Sequence, residues 1–518
     1  MNYVGTARPI HDAKGKATGY TKYAGDLSLP NMAYLCMLHS KIPHGYVKAV
    51  HAEKALALPG VYGVYHCLNT SERKYNRYRS SFDQAYLANE ERAFNQYVRF
   101  VGDKIGAVAA CDQETAEKAA RLVEVEYEEL SFSIGFDDTL AGKNCLDGET
   151  PVRDDSELDV GEKQESTEGL IEVCSTMELP RLHHATMETH ACIADYDPYS
   201  DMLTVYCPNQ AVHGIRTVLA DFLEMPESHV RVVKATMGGS FGAKQEWFLE
   251  PVTALVAKNL CRPVKLVYSR GEAMTDTIVR GAMRMSARGY YTPDGEMKEI
   301  YCDVTLDAGA YIGNAGDYVR ALAGKPTRCY RIPYMHYHGQ VISSNSPVSG
   351  AFRSWSAAEE ALMMERQLDA AAEKLGMDRL AIRLKNVARS GEEDKKLHLS
   401  LEDIRIGDAI TLGSEKFGWD KLKAEDAAFN ASQQRYRRGV GIGIGGHGNT
   451  YFPRFNDYGE GSISLNADGS MQANFTLHDH GCGTVTAMRM IAAEVLKVPE
   501  DKIYMTEGDT AVTPIDYG

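Results

Sequence analysis

The chain has 518 residues, of which 44% are hydrophobic and 25% charged; this composition is typical of globular proteins and leaves no room for a dominant disordered tract. At roughly 150 residues per domain, the length predicts about three domains. The formal net charge of −15 argues against a nucleic-acid or anionic-membrane surface, because such surfaces need clustered Lys and Arg.

The start of the chain lacks the apolar core of a secretory signal, and apolar residues nowhere form a run of membrane-spanning length, so we expect a cytoplasmic protein. The eleven cysteines are odd in number and never spaced as C-x-x-C, a pattern typical of reduced, buried thiols. It speaks against an iron–sulfur cluster or structural zinc bound by this chain alone. Any such redox centre is expected on another subunit.

The predicted elements divide the chain into four parts. Residues 1–135 alternate apolar runs at 33–38 and 60–66 with a helix at 114–122 and a strand at 123–127, which predicts an α+β domain. The acidic stretch 136–168 has little periodicity and predicts a connecting segment. A second domain is expected over 169–395, closing with an amphipathic helix at 357–375, and a third over 396–518.

Residues 203–236 and 472–507 repeat one pattern of strand, polar turn, helix, Pro-Glu turn and strand. Gln210 lies sixteen residues before Pro226, and Gly483 lies sixteen before Pro499. Two matching β-α-β units could hold one large anionic ligand between their helix N-termini. The alternative is a coincidence between two common β-α-β arrangements.

Residues 230–257 contain a β-branched strand, a glycine-rich turn at 237–245 and a helix, which suits an anionic group near exposed backbone N–H donors. The turn is not a P-loop, because Ala243 precedes Lys244 and Gln245 stands where Ser or Thr would bind magnesium. It does not match G-x-G-x-x-G either. The alternatives are a plain tight turn that needs small residues and a nucleotide-binding loop, which predicts ATP or NAD binding.

Several ordered motifs resemble those of the molybdopterin-binding large subunit of the xanthine dehydrogenase and aldehyde oxidase family of molybdenum hydroxylases. Each motif alone is weak, but their order and spacing span nearly the whole chain. They are Gln210 and the segments 15–19, 22–26, 101–108, 184–190, 237–245, 307–311, 350–353, 383–386, 481–483 and 508–510.

The resemblance implies a multidomain α+β and α/β fold, in which an N-terminal α/β hammerhead-like domain precedes molybdopterin-binding domains, the last one incomplete. It implies a molybdenum–molybdopterin cofactor, with the cytosine dinucleotide as one expected form. The implied reaction oxidises a purine-like or other N-heteroaromatic substrate, or an aldehyde, with water as the oxygen source. Electrons would pass to [2Fe-2S] clusters and FAD on partner subunits.

The resemblance also implies residue roles, with no side chain ligating the metal directly. Gln210 matches the amide that faces the molybdenum oxo group, and cofactor contacts are further expected from Gly239, Ser240, Phe241, Gly481, Cys482 and Gly483. Arg320 resembles the arginine that stabilises charge on the substrate, and substrate contacts are further expected from Gln245, Arg353 and Trp355. The alternative for each arginine is a surface ion pair, and for Trp355 core packing.

Departures from the family pattern bear on the substrate. Gln245 stands where purine-hydroxylating members carry a glutamate, Cys482 replaces a glutamine, and Ser354 replaces a glycine. Ser240 and Ala243 also replace glycines of the loop. These changes suit a branch acting on another purine or N-heterocycle, or a lineage losing activity.

The serine-rich loop and the glutamate general base of the family have no counterpart in these residues. Such bases contribute about two to four orders of magnitude in rate. Glu188 and Glu494 are expected to be structural. We therefore expect a companion chain to complete the site, the alternative being a non-catalytic fragment.

Overall fold

The computed structural model describes residues 3–78, 89–143, 145–146, 150–432, 435–448 and 459–516. Its helices are α1 (Ala13–Thr18), α2 (Glu53–Leu56), α3 (Gln113–Ala120), α4 (Phe136–Leu140), α5 (Val212–Leu223), α6 (Glu250–Leu260), α7 (Arg270–Asp276), α8 (Ala315–Leu322), α9 (Pro326–Cys329), α10 (Ala357–Leu375), α11 (Arg379–Asn386), α12 (Ile406–Phe417), α13 (Trp419–Ser432) and α14 (Thr484–Leu496). Its strands are β1 (Ala33–His39), β2 (Gly45–His51), β3 (Val61–His66), β4 (Lys74–Tyr75), β5 (Glu91–Arg92), β6 (Tyr97–Val98), β7 (Lys104–Ala110), β8 (Glu124–Glu129), β9 (Val152–Gly161), β10 (Ile171–Leu179), β11 (Ala191–Asp197), β12 (Met202–Cys207), β13 (Val230–Lys234), β14 (Val264–Val267), β15 (Ala282–Tyr291), β16 (Met297–Gly309), β17 (Tyr334–Ser343), β18 (Glu393–Asp394), β19 (Leu399–Ser400), β20 (Gly461–Leu465), β21 (Met471–Phe475) and β22 (Ile503–Glu507).

The largest sheet joins the N-terminal part of the chain to the following part. Its seven strands are ordered β13-β12-β11-β14-β1-β7-β3. β1 pairs in parallel with β14, placing Ala33 beside Val264. One hydrophobic core runs along this sheet and includes residues from both parts. The two parts therefore share a sheet across the boundary predicted at residue 135.

A second sheet has five strands in the order β10-β15-β16-β17-β9. Its edge strand β9 lies inside the stretch 136–168, for which the sequence predicts a connecting segment. The sequence does not predict this strand because several of its side chains are acidic. An edge strand tolerates such charges on its exposed face. Helix α10 packs against the sheet through buried Met363, Met364 and Leu368, and it ends at Gly376 in the left-handed conformation.

The two predicted β-α-β units are confirmed. In each, the helix ends in a non-glycine left-handed residue, Glu224 or Lys497, two positions before the proline. A short 3₁₀ turn and a strand follow, and the two strands of each unit pair in parallel. The first turn of the second unit is four residues longer than that of the first. In the second unit β20 pairs with β21, so β20, β21 and β22 form a three-stranded sheet against α14.

Candidate cofactor site

The glycine-rich loop 237–245 follows β13, but the next helix, α6, begins only at Glu250. The loop therefore does not lead directly into the N-terminus of α6, and its own backbone supplies the donors. Gly239, Phe241 and Gly242 have φ angles of 91°, 55° and 101°. Left-handed residues in a turn bring successive N–H groups toward a common side, which makes a concave site for anionic or oxo groups.

Several N–H groups of the loop are bonded within the protein. Gly238 donates its backbone N–H to Glu188 Oε2 (2.7 Å), while Gly242 and Lys244 donate theirs to Ser240 Oγ (3.3 Å each). These bonds hold the flanks of the loop in place.

Three successive donors at the tip of the loop remain free. Within the described ranges, the N–H groups of Gly239, Ser240 and Phe241 donate to no protein acceptor. Ser240 is fully buried, whereas Gly239 is half-buried and Phe241 is 43% exposed, so only these two of the three residues lie at the accessible part of the turn. Their unpaired N–H donors fit an oxygen-rich ligand.

Gln210 is bonded directly to this loop. Its backbone N–H donates to Lys244 O (2.8 Å), and its side-chain Oε1 accepts from the buried Ser240 hydroxyl. Because the carbonyl end of the amide is taken, the NH₂ end remains as the donor that a ligand could use. It meets no acceptor in the part of the chain that the structure describes. Ser240, a departure from the family glycine, thus orients Gln210.

The loop rests on the segment 184–190. Glu188 Oε2 forms an ion pair with Lys244 Nζ (2.6 Å). Burial lowers the pKa of Lys244, and the Glu188 carboxylate opposes that shift. His190 Nε2 bonds Ala243 O (2.9 Å), and burial lowers the His190 pKa to about 3. These side chains support the loop, which agrees with the structural role predicted for Glu188.

The segment 350–356 docks on the same loop. Arg353 donates its backbone N–H to Phe241 O (2.8 Å). A Cβ on Gly242 would lie 2.5 Å from Ala351 O, so this close approach requires glycine. Arg280 donates to Arg353 O (2.6 Å). The Arg353 guanidinium is exposed and has no hydrogen-bond or ion-pair partner among the described residues.

Trp355 occupies a strained stretch beside Arg353. Its neighbours Ser354 and Ser356 both have left-handed backbones, with φ of 77° and 67°. The half-buried indole meets the Tyr318 ring edge-on at 5.5 Å and packs against both large hydrophobic cores. Lys325 Nζ donates to Trp355 O and to Ser356 Oγ (2.7 Å). Core packing therefore accounts for one side of the indole.

The structure does not bring Arg320 to this cluster. Its guanidinium pairs with Asp154 on β9 (2.5 Å) and with Asp317 (3.5 Å), and the side chain is 43% exposed. Tyr318 lies two residues earlier on α8 and faces Trp355. Residues two apart on a helix project from different faces, so Arg320 points elsewhere. Here the alternative of a surface ion pair describes the residue.

The second candidate turn, 481–483, is closed by Asp479. The Asp479 carboxylate accepts the backbone N–H groups of Gly481 (2.9 Å), Gly483 (3.3 Å) and Val485 (3.1 Å). These three N–H groups are therefore already bonded within the protein, and the binding of an anionic ligand between the two helix N-termini stays a prediction. Cys482 is exposed at the apex, and its Sγ lies 3.0 Å from Thr484 Oγ1.

Gln245 is half-buried at the end of the loop, with no side-chain hydrogen bond to the described residues. The adjacent Glu246 is buried, and its Oε1 accepts the backbone N–H of Ala351 (3.3 Å). Burial raises the pKa of Glu246 to about 8, so this carboxyl is mostly protonated at neutral pH. Through this hydrogen bond, Glu246 links the end of the loop 237–245 to the segment 350–356.

Sequence reasoning missed the supporting residues Tyr318, Lys325, Glu246 and Asp479. The role of Asp479 could have been predicted from the sequence, because an aspartate two residues before a glycine in a turn is expected to bond the local backbone through its side chain. The others act through contacts between distant parts of the chain, which no local pattern indicates.

A molybdenum–molybdopterin group fits the first loop on three grounds. The loop offers unpaired N–H donors, an oriented amide NH₂ on Gln210, and glycine positions without side-chain bulk. The described residues contain no group of three or more His, Cys, Asp or Glu side chains that could hold a metal ion.

Comparison with known proteins agrees with this geometry. Molybdopterin cofactor-binding domains match residues 152–387 and 412–518, and the a/b hammerhead domain of aldehyde oxidase and xanthine dehydrogenase matches residues 18–131. The chain belongs to the xanthine dehydrogenase and aldehyde oxidase family of molybdenum hydroxylases, as a molybdopterin-binding large subunit. The resemblance stated from the sequence is thereby confirmed, as is the multidomain fold.

Individual relatives share most of this chain. A probable xanthine dehydrogenase subunit from Bacillus subtilis is 32% identical over 524 residues, covering 99% of this chain and 67% of the relative. The putative xanthine dehydrogenase molybdenum-binding subunit of Escherichia coli K12 is 29% identical, covering 98% and 68%. Quinoline 2-oxidoreductase from Pseudomonas putida 86 has the same fold, with a TM-score of 0.87 at 23% identity over 98% of this chain and 67% of that one.

Among the described helices, none combines the length and apolar character that crossing a membrane requires.

Proposed function

We propose that this chain holds the cofactor of a molybdenum hydroxylase that oxidises an N-heteroaromatic, purine-like or aldehyde substrate with water as the oxygen source. The observation that carries the proposal is the bond that orients Gln210 on Ser240, which leaves the amide NH₂ without an acceptor among the described residues, beside the unpaired N–H groups of Gly239 and Phe241. The residues proposed to contact the cofactor here are Gln210, Gly239, Ser240 and Phe241.

The cofactor, when bound, would supply the two-electron oxidation. Gln210 would donate a hydrogen bond to an oxo or hydroxo oxygen, and it would do so at any pH because an amide does not titrate. The tip of the 237–245 loop would offer its backbone N–H groups to the same region. These donors are held by the Glu188–Lys244 pair, so they need little reorganisation when a ligand arrives.

Arg353 and Trp355 are proposed to orient the substrate. The exposed Arg353 guanidinium can give two parallel hydrogen bonds to a carbonyl or carboxylate. The half-buried Trp355, which Tyr318 meets edge-on, can pack the exposed part of its indole against a flat ring. Gln245 would contact the ring as a neutral hydrogen-bonding partner. A planar heterocycle bearing an oxygen substituent suits this set.

The Arg320 role implied by the family pattern is not carried forward, because its guanidinium is paired with Asp154. The turn 481–483 is proposed as a cofactor contact through its apex at Cys482. The Asp479 carboxylate, which accepts the backbone N–H groups of Gly481 and Gly483, would keep that turn in its conformation.

We propose that the general base comes from residues outside these 518. The carboxylates beside the loop have other tasks: Glu188 pairs with Lys244, and Glu246 is buried and mostly protonated. Glu494 accepts the backbone N–H groups of Tyr3 and Val4, so it tethers the N-terminal segment. The chain spans about two thirds of the length of the relatives it matches.

The proposed partners are an iron–sulfur subunit, an FAD subunit and a chain that supplies the remaining molybdopterin-binding part. The cytosine dinucleotide form of the cofactor and a cytoplasmic location stay predictions. Co-purification followed by iron, flavin and nucleotide analysis would test the partners and the cofactor form together.

Molybdenum and pterin content of the purified chain, with the subunits that co-purify, tests the function. We expect Gln210→Leu to lower molybdenum retention, and Gln164→Leu, on an exposed connection, to leave it unchanged. Equal retention in both variants would contradict the proposed contact. A chain that never acquires molybdenum would instead support the non-catalytic alternative.

A further inference from the structure

Lys234, the last residue of β13, is a buried cation between the two β-α-β units. Its side chain is 1% exposed, and its Nζ donates to Asp479 O (2.8 Å) and Glu507 Oε1 (2.8 Å). Its backbone N–H donates to Gly508 O (2.7 Å). A Cβ on Gly508 would lie 2.8 Å from Lys234 Cβ, so the approach is close along the whole residue.

Asp479 and Glu507 belong to the second unit and Gly508 directly follows it, whereas Lys234 belongs to the first unit. A buried ammonium is unfavourable unless it is paired, and here two of its three N–H donors bond Asp479 O and the Glu507 carboxylate. The lysine therefore joins the two units through a bond that depends on correct geometry. A hydrophobic residue of similar length would fill the same space but would not fix the position of one unit relative to the other.

The main chain that Lys234 holds is the one that organises the turn 481–483. Burial disfavours the charged form of Asp479, but the backbone donors of the turn keep the Asp479 pKa below its usual value. Its carboxylate accepts the backbone N–H groups of Gly481, Gly483 and Val485. A shift of Asp479 would move all three.

Lys234 also ends the strand that delivers the other candidate contact. Residues 235 and 236 separate it from Met237, where the glycine-rich loop begins. Lys234 thus lies just before the loop 237–245, and its side chain bonds Asp479, two residues before the turn 481–483.

We propose that Lys234 is a positioning residue that sets the turn 481–483 relative to the loop 237–245, and so shapes the space for the cofactor between them. The cofactor part of this inference rests on the proposed function. The link between Lys234 and the order of the turn stands independently of it.

A matched control exists in the same interface. Arg231 forms a two-bond ion pair with Asp509, Nε–Oδ1 at 3.0 Å and an η nitrogen to Oδ2 at 2.6 Å. This pair also joins β13 to the second unit, but its hydrogen bonds do not involve Asp479. Removing it weakens the interface without releasing the turn.

Hydrogen exchange of the amides at 479–485 tests the proposal, measured on the full chain with the subunits that co-purify. Lys234→Met should raise exchange there by about tenfold or more, the scale expected when a charge-assisted hydrogen bond is lost. Arg231→Met should leave exchange of these amides near the wild-type rate. Lys234→Arg should restore part of the protection, because it keeps a charged donor.

Equal exchange in Lys234→Met and wild type, or an equal rise in Arg231→Met, would overturn the proposal. Lys234→Gln, which keeps an uncharged donor, replaces Lys234→Met if the latter does not fold. Global unfolding of both would also contradict a local positioning role. Molybdenum content is the second readout: if even the wild type binds none, the proposed function fails while the exchange result still decides the role of Lys234.

Discussion

Ser240 donates its hydroxyl hydrogen to Oε1 of Gln210, and this single bond determines which end of the amide faces outward. The same hydroxyl oxygen accepts the backbone N–H groups of Gly242 and Lys244. One small buried side chain thus orders the loop and orients the neighbouring amide.

Ser240→Ala should lower the free energy of unfolding by about 1–3 kcal/mol, because it leaves buried partners without their hydrogen bond. It should also release the Gln210 amide and reduce molybdenum retention. Urea unfolding and metal analysis would measure the two effects. Retention that stays at the wild-type level would show that Gln210 does not need Ser240.

Gly242→Ala should be clearly destabilising, by more than about 1 kcal/mol, because the residue has φ of 101° and its new Cβ would press on Ala351 O. Gly413→Ala is the control: Gly413 lies inside α12 with open space around it. That change should stabilise by about 0.5–1 kcal/mol. Thermal unfolding of both variants checks the pair, and a neutral Gly242→Ala would contradict the close contact between the two segments.

Glu246→Gln should make stability depend less on pH. Burial raises the folded pKa of Glu246 from 4.5 to about 8, with the nearby Arg77 opposing the shift and Glu91 adding to it. The folded chain therefore binds more protons than the unfolded chain between these values, and this glutamate makes stability fall as pH rises through the window. The variant should lose that dependence, seen in denaturant unfolding at pH 5 and pH 9. Glu165→Gln, on an exposed connection, should behave like the wild type.

Arg353→Ala and Arg320→Ala should separate a substrate contact from a surface ion pair. Arg353 is exposed without a partner among the described residues, so its removal should leave stability nearly unchanged and lower kcat/KM by about tenfold or more. Arg320→Ala should cost about 0–1 kcal/mol of stability and leave kcat/KM unchanged. A panel of xanthine, nicotinate, quinoline and benzaldehyde would serve as substrates. A selective loss of activity in Arg320→Ala would restore the role implied by the family.

Local patterns in the sequence were sufficient for several elements. The helix predicted at 357–375 is α10, because its alanines, leucines, methionines and glutamates favour helix and its apolar face repeats at helical spacing. The repeated units were visible because a proline and a glutamate mark the same turn in each.

Other features depend on contacts that no local pattern reports. Strand β9 carries Asp154 and Asp155, which disfavour a strand prediction, yet pairing with β17 holds it in the sheet. Arg320 matched a family motif, but its direction is decided by Asp154, far away in sequence. The roles of Gln210 and Ser240 likewise needed the bond between them, which joins residues thirty positions apart.

The parallel pairing of β1 with β14 also has a consequence for biosynthesis. The edge of β1 that contains Ala33 stays uncovered until Val264 has been synthesised and β14 can pair with it. At about 5–20 residues per second, translation of the intervening chain takes roughly 10–50 s, during which an apolar strand edge stays open. Such long-range pairing is slow to form and exposed to aggregation. Recombinant production should therefore gain more from chaperone supply than from changes at the protein surface.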